Sequence, residues 1–131
     1  MNNHLGNSIY LRKKVVNLIF SLVEPEKKTT IAVEEFTDGI ANGKWREELE
    51  QYRSLKTEEE RKHFKTHMLP AITLSGTFET TKQDSLLEHS GLLQVDIDLK
   101  TTADREQFYK KYRGRLCADP YMVAVFDSPS M

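Results

Sequence analysis

Glu88-His89-Ser90-Gly91-Leu92-Leu93-Gln94-Val95-Asp96-Ile97-Asp98-Leu99 is the stretch on which the reading of this chain turns. It has the pattern of a turn followed by a strand. Side chains on a strand alternate faces, which puts Asp96 and Asp98 on one side and Val95, Ile97 and Leu99 on the other. Their Cα atoms should stand roughly 6.5–7 Å apart at about 3.3 Å of rise per residue. Neighbouring carboxylates repel and need either solvent or a cation. Mg²⁺ suits them, because it takes one or two carboxylates and keeps its other positions for water or substrate phosphate. The acidic, solvent-facing side of an ordinary strand fits the same pattern and is the default on the local pattern alone.

Downstream, Thr101-x-x-Asp104 opens a helix expected from about Thr102 to Arg113, with Phe108, Tyr109 and Tyr112 turned inward. Gly114 and Asp119-Pro120 then lead to a last strand, Tyr121–Phe126. Strand, helix and strand in this order predict a right-handed crossover within one sheet. Upstream, Lys14–Val23 is short and β-branched, which favours a strand over the alternative of a helix. A short strand at Thr30–Val33 is expected to run into a helix, Val33–Ala41, ended by Asn42-Gly43. Trp45, Leu49 and Tyr52 mark a second helix from Lys44 to Ser54, and Thr57-x-x-Glu60 is a capping box for a third, stopped by Pro70. Ala71–Leu74 reads as a strand and Leu86–Ser90 as a short turn. The expected class is α+β (α/β-like): an N-terminal strand and helices packed on a small sheet whose crossover carries Asp-x-Asp.

The bulk composition narrows the classes. At 131 residues, 1–131 suits a single domain. Hydrophobic residues at 38% and charged residues at 30% describe a soluble, folded chain. A formal net charge of −1 gives no global basic signature, so any nucleic-acid contact must use a local patch. One cysteine, Cys117, excludes an internal disulfide and reads as a small buried hydrophobe. Val15–Val23 is too short and too interrupted to span a bilayer. Arg12-Lys13-Lys14 before it imitates a signal peptide, but Glu24-Pro25-Glu26 follows instead of a cleavage site. A cytoplasmic location is expected.

Other candidates each have a plain reading. His63 and His67 are four apart on a helix, the spacing of paired metal ligands, yet solvated helix histidines are the default. His89, in the turn before the acids, could contact phosphate or simply hold the turn. Phe108-Tyr109-Lys110-Lys111-Tyr112-Arg113-Gly114-Arg115 interleaves aromatic and basic residues, as a nucleic-acid surface does and as an ordinary amphipathic helix does. Ser75-Gly76-Thr77 and Ser128-Pro129-Ser130 are hydroxyl-bearing turns of the sort that can cradle phosphate. There is no P-loop, nucleophile elbow or paired-cysteine motif.

Taken in order, Leu69-Pro70-Ala71-Ile72-Thr73-Leu74-Ser75-Gly76-Thr77-Phe78, His89-Ser90-Gly91-Leu92-Leu93 with Asp96-x-Asp98, Asp119-Pro120-Tyr121 and Ser128-Pro129-Ser130 resemble a family. It is the N-terminal domain of virulence-associated protein E-like proteins of Bacteroides-type bacteria and their mobile elements, similar to primase-polymerase modules of the archaeo-eukaryotic primase superfamily. The resemblance implies a nucleotidyl-transfer site for DNA replication. Asp96 and Asp98 would be its catalytic, metal-binding acids for Mg²⁺ or Mn²⁺. His89, Ser90, Lys110, Lys111, Arg113, Arg115, Ser128 and Ser130 would lie near nucleotide or nucleic acid. DNA and nucleoside triphosphates are the implied partners, with a helicase domain in a longer parent chain and no membrane. The family pattern continues past Ser-Pro-Ser into a glycine where Met131 stands, so a third acid and a histidine motif are expected to be missing and this chain alone to be inactive. An open sheet edge would then invite self-association. The competing expectation is a non-catalytic domain that binds nucleic acid or protein. A metal-dependent nuclease is disfavoured, because no lysine follows Asp-x-Asp at a suitable spacing.

Overall fold

Val15-Val16-Asn17-Leu18-Ile19, an apolar run broken by one amide, forms the middle strand of the main sheet. The computed structural model describes residues 4–5 and 14–126. In chain order these residues form β1 (His4–Leu5), β2 (Val15–Ile19), β3 (Lys28–Ala32), α1 (Val33–Ala41), α2 (Arg46–Ser54), α3 (Glu58–His67), β4 (Ala71–Thr73), β5 (Gly76–Phe78), β6 (Leu86–His89), α4 (Thr102–Ala118) and β7 (Ala124–Val125). A 3₁₀ turn at Gln83–Ser85 precedes β6. The class is α+β, as expected. No described helix is long and apolar enough to cross a membrane.

β2 lies between β3 and β4, antiparallel to both. The register sorts its side chains into two layers. Val16 faces Ile31 across the ladder and Leu18 faces Ile72, which makes one apolar face. Val33, the first residue of α1, closes that face; Val16 and Val33 are fully buried, with Ile31, Ile72, Leu92 and Val123 packed around them. On the opposite face Asn17 stands between Thr30 and Thr73. Here the covering element is the β5–β6 hairpin. The Phe78 amide donates to Asn17 Oδ1 at 2.7 Å, and the Thr73 hydroxyl donates to the Gly76 carbonyl at 2.7 Å. The buried amide therefore replaces apolar packing as the means of docking the second sheet.

Gly76 permits the close approach. Its φ is +153°, and a Cβ there would sit 2.0 Å from the Glu88 carbonyl oxygen across the hairpin. The helices pack by aromatic contact beside the sheet. Phe36 of α1 meets Trp45 with ring centroids 5.5 Å apart, and Tyr52 of α2 meets Phe64 of α3 at 6.3 Å. Thr57 and Glu60 form the expected capping box. The Thr57 amide and hydroxyl hold the Glu60 carboxyl below its ordinary value. The Leu22 amide donates to the Thr66 carbonyl at 3.0 Å, tying α3 to the exit of β2.

Four expectations are corrected. Leu86–His89 is a strand rather than a turn, because Gly76–Phe78 supplies its ladder. α4 runs through Gly114 to Ala118, and a Cβ at Gly114 would meet nothing within 4 Å. Most important, the Asp-x-Asp stretch is not a strand: residues 91–100 carry no ladder among the described residues. The last strand, β7, pairs antiparallel with β1, so the expected crossover unit is absent there as well. A strand needs a neighbour for its backbone and a layer over its apolar side. Neither is supplied here, and Leu93 is 89% exposed and Val95 72%. Leu92 and Val123 anchor this part of the chain to the core, and no residue from Leu93 to Met122 is buried.

Asn17→Val strands the Phe78 amide and should cost about 1–3 kcal/mol, read as a lower urea midpoint; an unchanged midpoint would mean that the amide does not dock the hairpin. Gly76→Ala adds strain and overlap at once and should cost roughly 2–4 kcal/mol, whereas Gly114→Ala, in open space on a helix, should gain about 0.5–1 kcal/mol.

Candidate functional site

The site begins where β6 ends. Ser90 is buried and cross-links the two halves of the hairpin: its hydroxyl donates to the Leu74 carbonyl at 2.5 Å and its amide to the Ser75 carbonyl at 2.8 Å. The same hydroxyl accepts from the Leu92 amide at 3.2 Å. Gly91 follows in the left-handed region, φ +77°, and its amide donates to His89 Nδ1 at 2.8 Å. These bonds occupy Ser90 and fix the direction in which the chain leaves for Asp96 and Asp98. They also set the neutral His89 tautomer, because an Nδ1 that accepts leaves the ring proton on Nε2.

Asp96 and Asp98 are both exposed on the irregular segment beyond that turn. Among the described residues, no basic side chain forms an ion pair with either. Among the described residues the one ion pair joins Lys27 to Glu24, at 2.9 Å. Among the described residues no third His, Cys, Asp or Glu joins the two aspartates to complete a metal-holding group. In number, two carboxylates match the protein ligands that a hydrated Mg²⁺ takes. A two-ion centre needs more ligands.

α4 presents the basic segment. Its half-buried residues include Arg105, Phe108, Tyr109, Tyr112, Arg113 and Leu116, a helical stripe at spacings of three and four. Phe108 packs on Tyr112 in a tilted arrangement at 5.1 Å and edge-on against Tyr109 at 6.3 Å. Lys110, Lys111 and Arg115 are exposed and Arg113 is half-buried. The Lys111 ammonium lies 5.2 Å over the Tyr112 ring. From Gln107 to Ala118 there is no acid to offset these cations. Cys117 is half-buried in the same helix.

The remaining candidates separate from this cluster. His63 and His67 stack face to face at 3.9 Å with 15° between planes, and His67 Nδ1 bonds to the His63 carbonyl at 2.9 Å. The rings lie flat on each other rather than converging on an ion. Ser75, Gly76 and Thr77 are consumed in the hairpin, with Thr77 buried. Ser128 and Ser130 lie outside the described residues. One residue at the turn was not singled out in the sequence. Lys14 shares an open depression of about 70 Å³ with Val15, Glu88, His89 and Ser90. Its neighbourhood is made by β2 packing beside the hairpin, which no local pattern around Lys14 announces.

No curated protein and no solved structure matches the chain. A family model described as "BT4734-like, N-terminal domain" matches residues 63–131, just over half of the chain. The matched region takes in the Ser90 turn, the acid pair and all of α4, and the chain belongs to the family of BT4734-like N-terminal domains.

Proposed function

We propose that this chain is a primase-polymerase-like domain of a mobile-element DNA replication protein, related to the virulence-associated protein E N-terminal domains and acting beside a helicase domain. The observation that carries the reading is the unneutralised pair Asp96 and Asp98, exposed between the Ser90 turn and the cationic half of α4. Two carboxylates left without a basic partner are a natural seat for Mg²⁺ or Mn²⁺. The ion supplies neutralisation of the phosphate charge when bound. Asp96 and Asp98 hold it, and Lys110, Lys111 and Arg115, with Arg113 behind them, engage the phosphate backbone of DNA. His89, Ser90, Ser128 and Ser130 border the nucleoside triphosphate in this reading; for Ser90 this means a contact through an oxygen that already serves the Leu92 amide.

The two-member donor set favours a second reading, a non-catalytic domain that binds nucleic acid or protein through the same helix. Metal-dependent nucleotide binding separates the two. The parent chain should melt higher with Mn²⁺ plus a nucleoside triphosphate than with either alone, by about 2.7 kcal/mol of added stability at a hundredfold excess over Kd. Asp96→Ala and Asp98→Ala should each abolish that shift while leaving single-stranded DNA binding in place. A parent chain with no such shift would leave only the non-catalytic reading.

The cations are tested by salt dependence. Replacing Lys110, Lys111 and Arg115 together by Gln should weaken single-stranded DNA binding uniformly across sequences and flatten the slope of log K against log salt by roughly 2, at about 0.7 per phosphate contact. A slope equal to the parent's would remove α4 from the interface.

A further inference from the structure

The depression at the hairpin end has a composition that the acid pair does not explain. Lys14 reaches it from the start of β2, and its backbone is held because the Val33 amide, at the first turn of α1, donates to the Lys14 carbonyl at 2.9 Å. Its side chain is half-buried against the Gly91 turn, where Nζ lies 3.3 Å from the place a Cβ on Gly91 would occupy. The absent side chain is what admits the ammonium. Glu88 lines the same depression, yet among the described residues Lys14 makes no ion pair with it. His89 lines the same hollow with Nδ1 taken by the Gly91 amide, which leaves Nε2–H free to donate. Two separate parts of the chain thus bring a positive charge and a ring N–H donor to one small open hollow.

We infer that Lys14 and His89 form a phosphate-binding subsite at the Gly91 turn. An oxyanion with several acceptor oxygens can take a charge-assisted bond from Lys14 Nζ and a second from His89 Nε2 at the same time. Gly91 is required twice there: its φ of +77° shapes the turn, and its bare Cα leaves space for Lys14. The subsite rests on the nucleotide reading only for its natural ligand, a nucleoside phosphate. The hollow itself holds phosphate without metal.

Titration with inorganic phosphate in the presence of EDTA, followed by amide and histidine NMR shifts, tests the subsite separately from Asp96 and Asp98. Saturable shifts are expected at the Gly91 amide and at His89 Nε2. Lys14→Gln should weaken phosphate binding at least tenfold, Lys14→Arg should restore most of it, and Glu88→Gln should bind as tightly as the parent or more tightly. Asp96→Ala and Asp98→Ala should bind phosphate like the parent, so failure of the metal site leaves this subsite standing, and the reverse. The inference is overturned if the parent shows no saturable shift at the turn, if a folded Lys14→Gln binds like the parent, or if Glu88→Gln loses binding, which would make the hollow a cation site. Should Lys14→Gln fail to fold, the parent's own shifts together with the Arg and Glu88→Gln variants decide the matter.

Discussion

The arrangement depends on one buried amide. Asn17 sits in the middle of the central strand, 4% exposed, where an apolar residue would ordinarily be found. Its side chain donates to Thr30 Oγ1 at 3.4 Å and accepts from the Phe78 amide at 2.7 Å, while its own amide donates to Thr73 Oγ1 at 3.1 Å. Three neighbouring strands thus address one residue. In a low-dielectric interior such bonds are strong when complete and expensive when broken, so they fix one position for the hairpin where apolar packing would tolerate several. The position of the hairpin in turn places Ser90 and the Gly91 turn beside Lys14, and so determines how the acidic segment leaves the core.

Burial is divided unevenly as a result. The layer between the apolar face of the β3–β2–β4 sheet and α1 contains the largest fully buried side chains among the described residues, Val16 and Val33. From Leu93 to Met122 the chain has no buried residue, and that span includes both aspartates and every described cation of α4 that the site invokes. Segments with few buried contacts open more easily than the core. Asp96, Asp98 and the α4 cations therefore lie on a part of the molecule with few buried contacts, attached to the scaffold at Leu92 and Val123, whereas Lys14, His89 and Ser90 belong to the scaffold itself.

The sequence was most legible where local chemistry decides the outcome. α1 spans Val33–Ala41 as its spacing predicted, and Thr57 with Glu60 capped α3 as the box required. It was least legible where distant residues decide. Asn17 read as a mere interruption of an apolar run, because its partners Thr30, Thr73 and Phe78 are 13, 56 and 61 residues away. Leu86–His89 read as a turn for the same reason: its ladder partner lies in β5. The alternation in Val95-Asp96-Ile97-Asp98-Leu99 is genuine strand pattern, but pattern supplies neither a neighbouring strand nor a covering layer. Of the site, the acids and cations were legible as residue types; Lys14 was not, since only tertiary packing brings it to His89.

Charge explains why an exposed, lightly anchored segment can still be a site. The net charge of −1 conceals a segregation along α4 and its approach: two bare carboxylates at 96 and 98, then Lys110, Lys111, Arg113 and Arg115 with no acid among them. Left to themselves the two groups could have paired, and the described residues show no such pair. Under the proposed reading, a phosphate-bearing ligand with its metal would be complementary to both, with the ion at the carboxylates and the backbone charge at the helix. Such a ligand must also meet the entropic cost of ordering the segment, which lowers affinity for any ligand that engages only one of the two groups. In that reading selectivity would come from requiring both groups at once.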